Sequence, residues 1–130
     1  MMEKLYIAPT PSSPEVDFDF PQHRLSLRGE SYPENAAAFY GELLTSLRSY
    51  LGGCTQQTID VHIALAYFNS SSTKMLFNMI EALNDAVLAG NTVTLNWHHD
   101  EEDETILEFG EELREDFPNI DFISHAVRSA

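Results

Sequence analysis

Four hydroxyls stand in a row between an asparagine and a lysine, in Asn69-Ser70-Ser71-Ser72-Thr73-Lys74. Two chemistries suit such a run. Serine and threonine oxygens accept hydrogen bonds from the unpaired N–H groups at a helix start, so the cluster reads as an N-cap. Capping uses only one or two hydroxyls. A phosphate on one of the others would carry a charge of roughly −1.5 to −2 near the positive end of the helix dipole, where backbone N–H groups can hold it. The junction therefore suits a regulatory phosphate as well as a cap.

A second cluster is His98-His99-Asp100-Glu101-Glu102-Asp103-Glu104. Imidazoles and carboxylates are both metal ligands, but two adjacent histidines in a loop do not face the same way. The familiar helical pairing of histidines four residues apart is absent. Carboxylates at a helix start interact favourably with the dipole, which gives the run a solvated structural role, and a partner surface is its third use. Further upstream, Ser31 and Glu34 have the spacing of a capping box, in which each side chain satisfies a free backbone N–H. Tyr32 between them is left over, either packed or displayed. His62, flanked by Val61 and Ile63, reads as a half-buried structural residue. Cys54 is the single cysteine, has no partner for an internal disulfide, and is assigned a passive role.

Catalysis finds little to work with. The chain has no glycine-rich phosphate loop, no Gly-x-Ser-x-Gly elbow and no Cys–His pairing at a recognisable spacing. Ser70 with His98 or His99 would make a nucleophile and a base, but no orienting acid or oxyanion hole accompanies them.

Positioning these clusters requires elements that the hydrophobic pattern supplies. Residues 1–14 read as an extended N-terminal arm, because residues 8–14 hold three prolines and two serines. Val16, Phe18 and Phe20 alternate with acidic residues, then Pro21-Gln22-His23 turns the chain into Leu25 and Leu27, the pattern of a hairpin. Phe39, Leu43 and Leu47 recur at helical spacing, with Tyr40, Leu44 and Leu51 beside them, until Gly52-Gly53. From Thr58 to Phe68, Ile59, Val61, Ile63, Leu65 and Tyr67 occupy alternate positions, which predicts the central strand. Leu76, Met79, Ile80, Leu83 and Val87 mark a second helix ending at Gly90, and Val93, Leu95 and Trp97 a strand after it. Ile106, Phe109, Leu113 and Phe117 form a third helical stripe, halted by Pro118, before a last strand around Ile120, Phe122 and Ile123; residues 124–130 are left as a tail.

A hairpin followed by alternating helices and strands is the pattern of an α/β fold with one mixed β-sheet and three helices mainly on one face. Leu65, Leu76, Ile80, Leu83, Val93 and Leu95 are the expected core. A right-handed crossover makes the strands ending at Phe68 and Trp97 parallel, so the hydroxyl and acidic clusters should emerge at the same edge of the sheet, the usual binding edge of open α/β sheets.

With 130 residues and 43% hydrophobic content, the chain fits a single domain spanning residues 1–130. Seven Lys and Arg stand against 21 Asp and Glu, a net charge of −14 that repels nucleic acid and anionic membranes alike. The first eight residues lack the apolar stretch of a signal peptide, and none elsewhere approaches the ~20 residues of a membrane span, so a cytoplasmic protein is expected.

Three motifs in this order resemble the SiaC family of bacterial signalling regulators, whose fold is similar to the STAS domains of anti-sigma-factor antagonists. They are Gly29-Glu30-Ser31-Tyr32-Pro33-Glu34-Asn35, then Tyr67-Phe68-Asn69-Ser70-Ser71-Ser72-Thr73-Lys74, then Trp97 followed by Asp100-Glu101-Glu102. The resemblance covers residues 14–122 and implies a STAS-like sheet and a partner switch. A serine/threonine kinase phosphorylates one hydroxyl after the asparagine, and a metal-dependent serine/threonine phosphatase removes the phosphate. The unphosphorylated protein binds and activates a diguanylate cyclase, raising cyclic di-GMP and promoting biofilm formation or aggregation. By position the acceptor is Ser70, with Ser71, Ser72 and Thr73 as alternatives, and the partner surface is Tyr32, Glu34, Asn69, Ser70, Lys74, Asp100, Glu101 and Glu102. The resemblance implies no catalytic residue, no metal and no cofactor. His98-His99 before the acidic run departs from the family pattern, and the C-terminal tail after Phe122 has no counterpart in it. Two other readings stay open: a small metal-dependent enzyme using the run from His98 to Glu104, and a scaffold module that is never modified.

Overall fold

The computed structural model describes residues 3–128. Alternating apolar residues build the hairpin, in which β2 (Glu15–Asp19) and β3 (Arg24–Ser31) pair antiparallel with Val16 opposite Leu27 and Phe18 opposite Leu25. The turn between them is a short 3-10 segment, Phe20–Gln22, closed by His23 in the left-handed region at φ 54°. Phe20 thus belongs to the turn, where it is buried and stacks on Tyr50 with ring centroids 4.7 Å apart. The N-terminal arm is more ordered than its prolines suggest. Leu5–Ile7 forms β1, paired antiparallel with β2, and Ser13 is buried.

After the hairpin the chain alternates: α1 (Ala36–Gly52), β4 (Thr58–Phe68), α2 (Ser70–Leu88), β5 (Thr92–Asp100), α3 (Glu104–Asp116) and β6 (Asp121–Val127). The six strands lie in sequence order, with β3, β4, β5 and β6 mutually parallel. The result is an α/β fold with a mixed sheet. Three successive right-handed crossovers in one direction put all three helices on one face. Burial follows that geometry: Ile59, Val61, Ile63 and Leu65 of β4 are buried under the helices, while Asp60, His62 and Ala64 on the other face are half-exposed. All six expected core residues, Leu65, Leu76, Ile80, Leu83, Val93 and Leu95, are buried.

Three boundaries differ from the sequence expectation. β5 runs on through His98 and His99 to Asp100, so these histidines are strand residues on opposite faces and not a flexible loop. β6 takes in most of the expected tail, since residues 124–127 pair with β5 from Trp97 to Asp100. Residues 1–2 of the arm and 129–130 of the tail lie outside the described residues. The third difference is a register shift between β3 and β4, where Gly29 pairs with Leu65 but Glu30 with Tyr67, leaving Ala66 as an extra residue in β4. The shift reverses which side chains face inward. Tyr67, expected on the apolar face, is 50% exposed, and Phe68 packs against Trp97 and Phe109 instead. No helix among the described residues is long and apolar enough to cross a membrane.

Trp97 sets how closely α3 can approach the sheet. Its indole N–H donates to the Ile106 carbonyl at 3.0 Å, and the ring lies against Gly110, where a Cβ would come within 2.6 Å of it. Overpacking of this kind costs about 1–3 kcal/mol, more than the ~1 kcal/mol that alanine gains over glycine inside a helix. Gly110→Ala should therefore lower the thermal midpoint, whereas Gly41→Ala, with nothing within 4 Å of the new methyl, should hold or raise it. Ile80→Ala should cost ~2–5 kcal/mol in denaturant unfolding, against almost nothing for the exposed Glu112→Ala. Equal effects from either pair would show that the packing described is wrong.

Candidate functional site

Because β3, β4 and β5 are parallel, their last residues, Ser31, Phe68 and Asp100, sit at one edge of the sheet. The three sequence clusters meet there, each carried by the turn that follows one strand. The geometry begins with Asn69. Its backbone is extended (φ −87°, ψ 176°), and its side-chain Oδ1 accepts from the Ser72 N–H at 2.9 Å, so Asn69 caps α2 and the serine hydroxyls do not. Its backbone N–H donates to the Ser31 carbonyl at 3.0 Å, tying the end of β4 to the end of β3.

The four hydroxyls then separate into two pairs. Ser72 is fully buried and donates to the Ser31 carbonyl at 3.0 Å; Thr73 is half-buried and donates to the Asn69 carbonyl at 3.1 Å. Ser70 and Ser71 are exposed. They are the first two residues of α2, whose N–H groups have no acceptor within the helix and point toward any group placed there. A phosphate on Ser70 would meet those donors and the positive end of a 19-residue helix. Lys74 is exposed one turn further along the same face.

Ser31 is not the helix cap that its spacing from Glu34 predicts. Asn35 caps α1, accepting from the Ala38 N–H at 3.0 Å, and Glu34 lies in the turn ahead of it. Ser31 closes β3 as a fully buried residue in a chain of hydroxyls. Ser72 must donate to the Ser31 carbonyl, so its oxygen accepts from the Ser31 hydroxyl at 2.8 Å, and Ser31 accepts in turn from the Tyr40 hydroxyl. Burial raises the Tyr40 pKa, partly opposed by its contacts with Ser31 and Ser72, and the phenol stays a donor at neutral pH. This chain joins β3, α1 and α2 directly beneath the exposed serines, and nothing in the spacing of the three residues announced it.

Around that point the surface is aromatic on one side and acidic on the other. Tyr32 and Tyr67, 39% and 50% exposed, form an edge-to-face pair with centroids 5.8 Å apart. Tyr67 was not foreseen as a surface residue, because it alternates with the apolar set of β4. On the other side Asp100, Glu102, Asp103, Glu104 and Thr105, with Ala66 and Ile106, line an open groove of about 450 Å³. Glu101 is exposed and held at its N–H by the Val127 carbonyl at 2.9 Å; Asp103 caps α3 by accepting from Ile106 at 3.0 Å. His99 is buried and bonds to Ser124 and the Asp100 carbonyl, while His98 lies on the helix-free face. The run from His98 to Glu104 is thus spread over two faces and a turn. Among the described residues no group of three or more His, Cys, Asp and Glu is arranged to hold a metal ion.

Comparison with known proteins places this edge in context. The model of the SiaC family regulatory phosphoproteins matches residues 7–127. An uncharacterized protein of Pseudomonas aeruginosa (strain UCBPP-PA14) is 35% identical over 115 residues, covering 88% of this chain and 90% of that protein. The crystal structure of apo-SiaC from Pseudomonas aeruginosa matches with a TM-score of 0.87 at 33% identity, over 96% of this chain and all of that one. A chain in the crystal structure of diguanylate cyclase SiaD in complex with its activator SiaC, from the same species, matches with a TM-score of 0.86 at 33% identity, over 95% of this chain and 99% of that one.

The division of the hydroxyls has a thermodynamic signature. Ser72→Ala removes the acceptor of the buried Ser31 hydroxyl hydrogen and one of the two donors to the Ser31 carbonyl, and should cost about 1–3 kcal/mol in urea unfolding. Ser70→Ala should stay within about 0.5 kcal/mol of the parent, as surface substitutions do. A neutral Ser72→Ala would remove the hydroxyl chain from any structural role.

Proposed function

Since the chain belongs to the SiaC family of regulatory phosphoproteins, we propose that it is a phosphorylation-controlled binding protein whose unphosphorylated form binds and activates a diguanylate cyclase. The observation that carries this reading is the arrangement at the edge: an exposed Ser70 at the free N–H groups of α2, with the exposed Tyr32–Tyr67 pair and the carboxylates Asp100, Glu101 and Glu102 around it. The Pseudomonas aeruginosa complex of SiaD with its activator SiaC supports the class of partner.

In this mechanism a serine/threonine kinase modifies Ser70, and a metal-dependent serine/threonine phosphatase restores it. Access favours that residue, because Ser72 is sealed in the core and Thr73 is already bonded, leaving Ser71 as the neighbouring alternative. The tyrosines act as rigid aromatic anchors, the residue type that dominates binding energy at interfaces. Asn69, Glu34 and Lys74 complete the surface around them. A phosphate adds roughly −1.5 to −2 charges to an edge that is already acidic, so a partner that accepts the bare hydroxyl meets repulsion and a larger desolvation cost when it is modified. The protein works by binding and carries no catalytic activity of its own. Its place is the cytoplasm, where a kinase finds its nucleotide.

Calorimetry against the cognate cyclase tests this. Unphosphorylated protein and Ser70→Ala should bind alike, and phosphorylated protein at least about tenfold more weakly. Ser70→Asp should fall between them, as aspartate carries one charge where phosphate carries nearly two. Tyr67→Ala should lose about tenfold or more without loss of fold. Equal affinity of the phosphorylated and unphosphorylated protein would end the switch reading; phosphate found only on Ser71 would move the site by one residue and keep the mechanism.

A further inference from the structure

Three imidazoles lie side by side on the helix-free face of the sheet, one from each of its last three strands, and the edge described above uses none of them. His62 of β4 and His98 of β5 stack with centroids 5.4 Å apart and ring planes at 22°; His98 and His125 of β6 stack at 4.6 Å and 13°. With all three rings neutral, their hydrogen bonds admit one arrangement of protons. Asp60 only accepts, so His62 carries its hydrogen on Nε2, donating at 3.0 Å. A neutral His62 then presents a bare Nδ1, and His98 donates to it from Nε2 at 3.1 Å. The Asn96 amide donates to Asp60 and the Val61 carbonyl, so its oxygen accepts from His125 Nε2 at 2.9 Å. Every ring is neutral in that state. With their planes nearly parallel, the rings do not turn their lone pairs toward a common point, which suits a proton chain and not a metal cage.

We propose that the His62–His98–His125 ladder is a proton-operated latch that holds the edge strand β6 on the sheet, closed with at most one added proton and open with two. Among the described residues, Asp60 supplies the one negative charge in hydrogen-bond contact with the ladder. Arg28 of β3, which donates to Ser26 through Nε, faces the stack as a fixed positive charge, and no helix among the described residues covers this face. A first proton is balanced by Asp60. A second puts two cationic rings face to face in the His98–His125 stack or turns the His62–His98 contact into two donors facing each other. β6 is the strand to give way, since five of its seven residues are exposed and it has a neighbour on one side only.

The surroundings of His98 agree with a neutral resting state. Burial and the nearby His125, His62 and Arg28 hold its pKa below the ordinary 6.5. A histidine depressed in the folded state leaves stability intact above pH ~6.5, and that stability is lost as pH falls from there toward the folded value. Opening would reach the binding edge, because the Val127 carbonyl at the end of β6 holds the Glu101 N–H and Arg128 lies 3.6 Å from its carboxylate. That last consequence rests on the proposed function; the latch itself does not.

The test uses the full chain without any partner. Ring-nitrogen NMR gives the tautomer and titration of each histidine, and hydrogen exchange gives the protection of β6 amides relative to β4, from about pH 7.5 to about pH 5.5. The expected result is neutral, Nε2-protonated His62, His98 and His125 at the upper pH, and a fall in β6 protection of about tenfold or more at the lower, with β4 unchanged. His98→Phe, which keeps a stacked ring without a titrating group, should make β6 protection insensitive to pH. Three histidines titrating independently, β6 protection that does not change, or an unaltered pH dependence in His98→Phe would each overturn the proposal; so would stoichiometric zinc binding that shifts all three rings. Should His98→Phe fail to fold, the tautomers and β6 protection of the parent protein decide alone.

Discussion

The edge of this molecule depends on one backbone carbonyl. The Ser31 oxygen at the end of β3 accepts both the Asn69 N–H and the Ser72 hydroxyl, so the strand ends and the start of α2 are fixed to the same atom. A carbonyl has two lone pairs, and both are used here. Around that junction the hydroxyls of Ser31, Ser72 and Tyr40 have no access to water, so each needs the next as a partner. The exposed serines stand on this frame. Their position is rigid because the residues two steps further along the helix are locked.

That rigidity separates two tasks that a run of four similar residues would otherwise share. Ser72 and Thr73 hold the helix start, Asn69 caps it, and Ser70 and Ser71 keep free hydroxyls beside free N–H groups. The cap contributes through its amide oxygen, so phosphate on a serine would not displace it. A phosphate there would change the charge of the surface and leave the helix in place. The aromatic pair beside it owes its exposure to a different constraint, the extra residue Ala66, which turns Tyr67 outward and sends Phe68 under α3.

Much of the fold was legible in the sequence because it depends on period. The one-sided alternation of β4 located that strand from Thr58 to Phe68, and the apolar stripes of the three helices located theirs. What escaped depends on contacts between distant segments. Three-residue β1 is too short to show an alternation, and β5 continues through His98 to Asp100 with polar residues that read as a loop. Asparagine and serine are comparable caps, so only the burial of Ser31 and Ser72 reveals that Asn35 and Asn69 do the capping. At the site, Tyr32, Ser70 and the acids were placed at one edge by the parallel strands, whereas Tyr67 was hidden by a bulge that has no sequence mark. The histidine ladder needs the register of three strands before any two of its members become neighbours.

The edge strand β6 has a bearing on how the protein behaves in bulk. Its sequence holds no lysine, no proline and a single carboxylate, Asp121, and it leaves Ile123 and Val127 about half exposed. Strands of that kind recruit one another unless something keeps them apart. Here the guard is the molecule's colloidal charge, −14 spread over 130 residues, acting before two edges can touch. Its range is set by the solvent, shrinking from about 8 Å at physiological ionic strength to about 3 Å in molar salt.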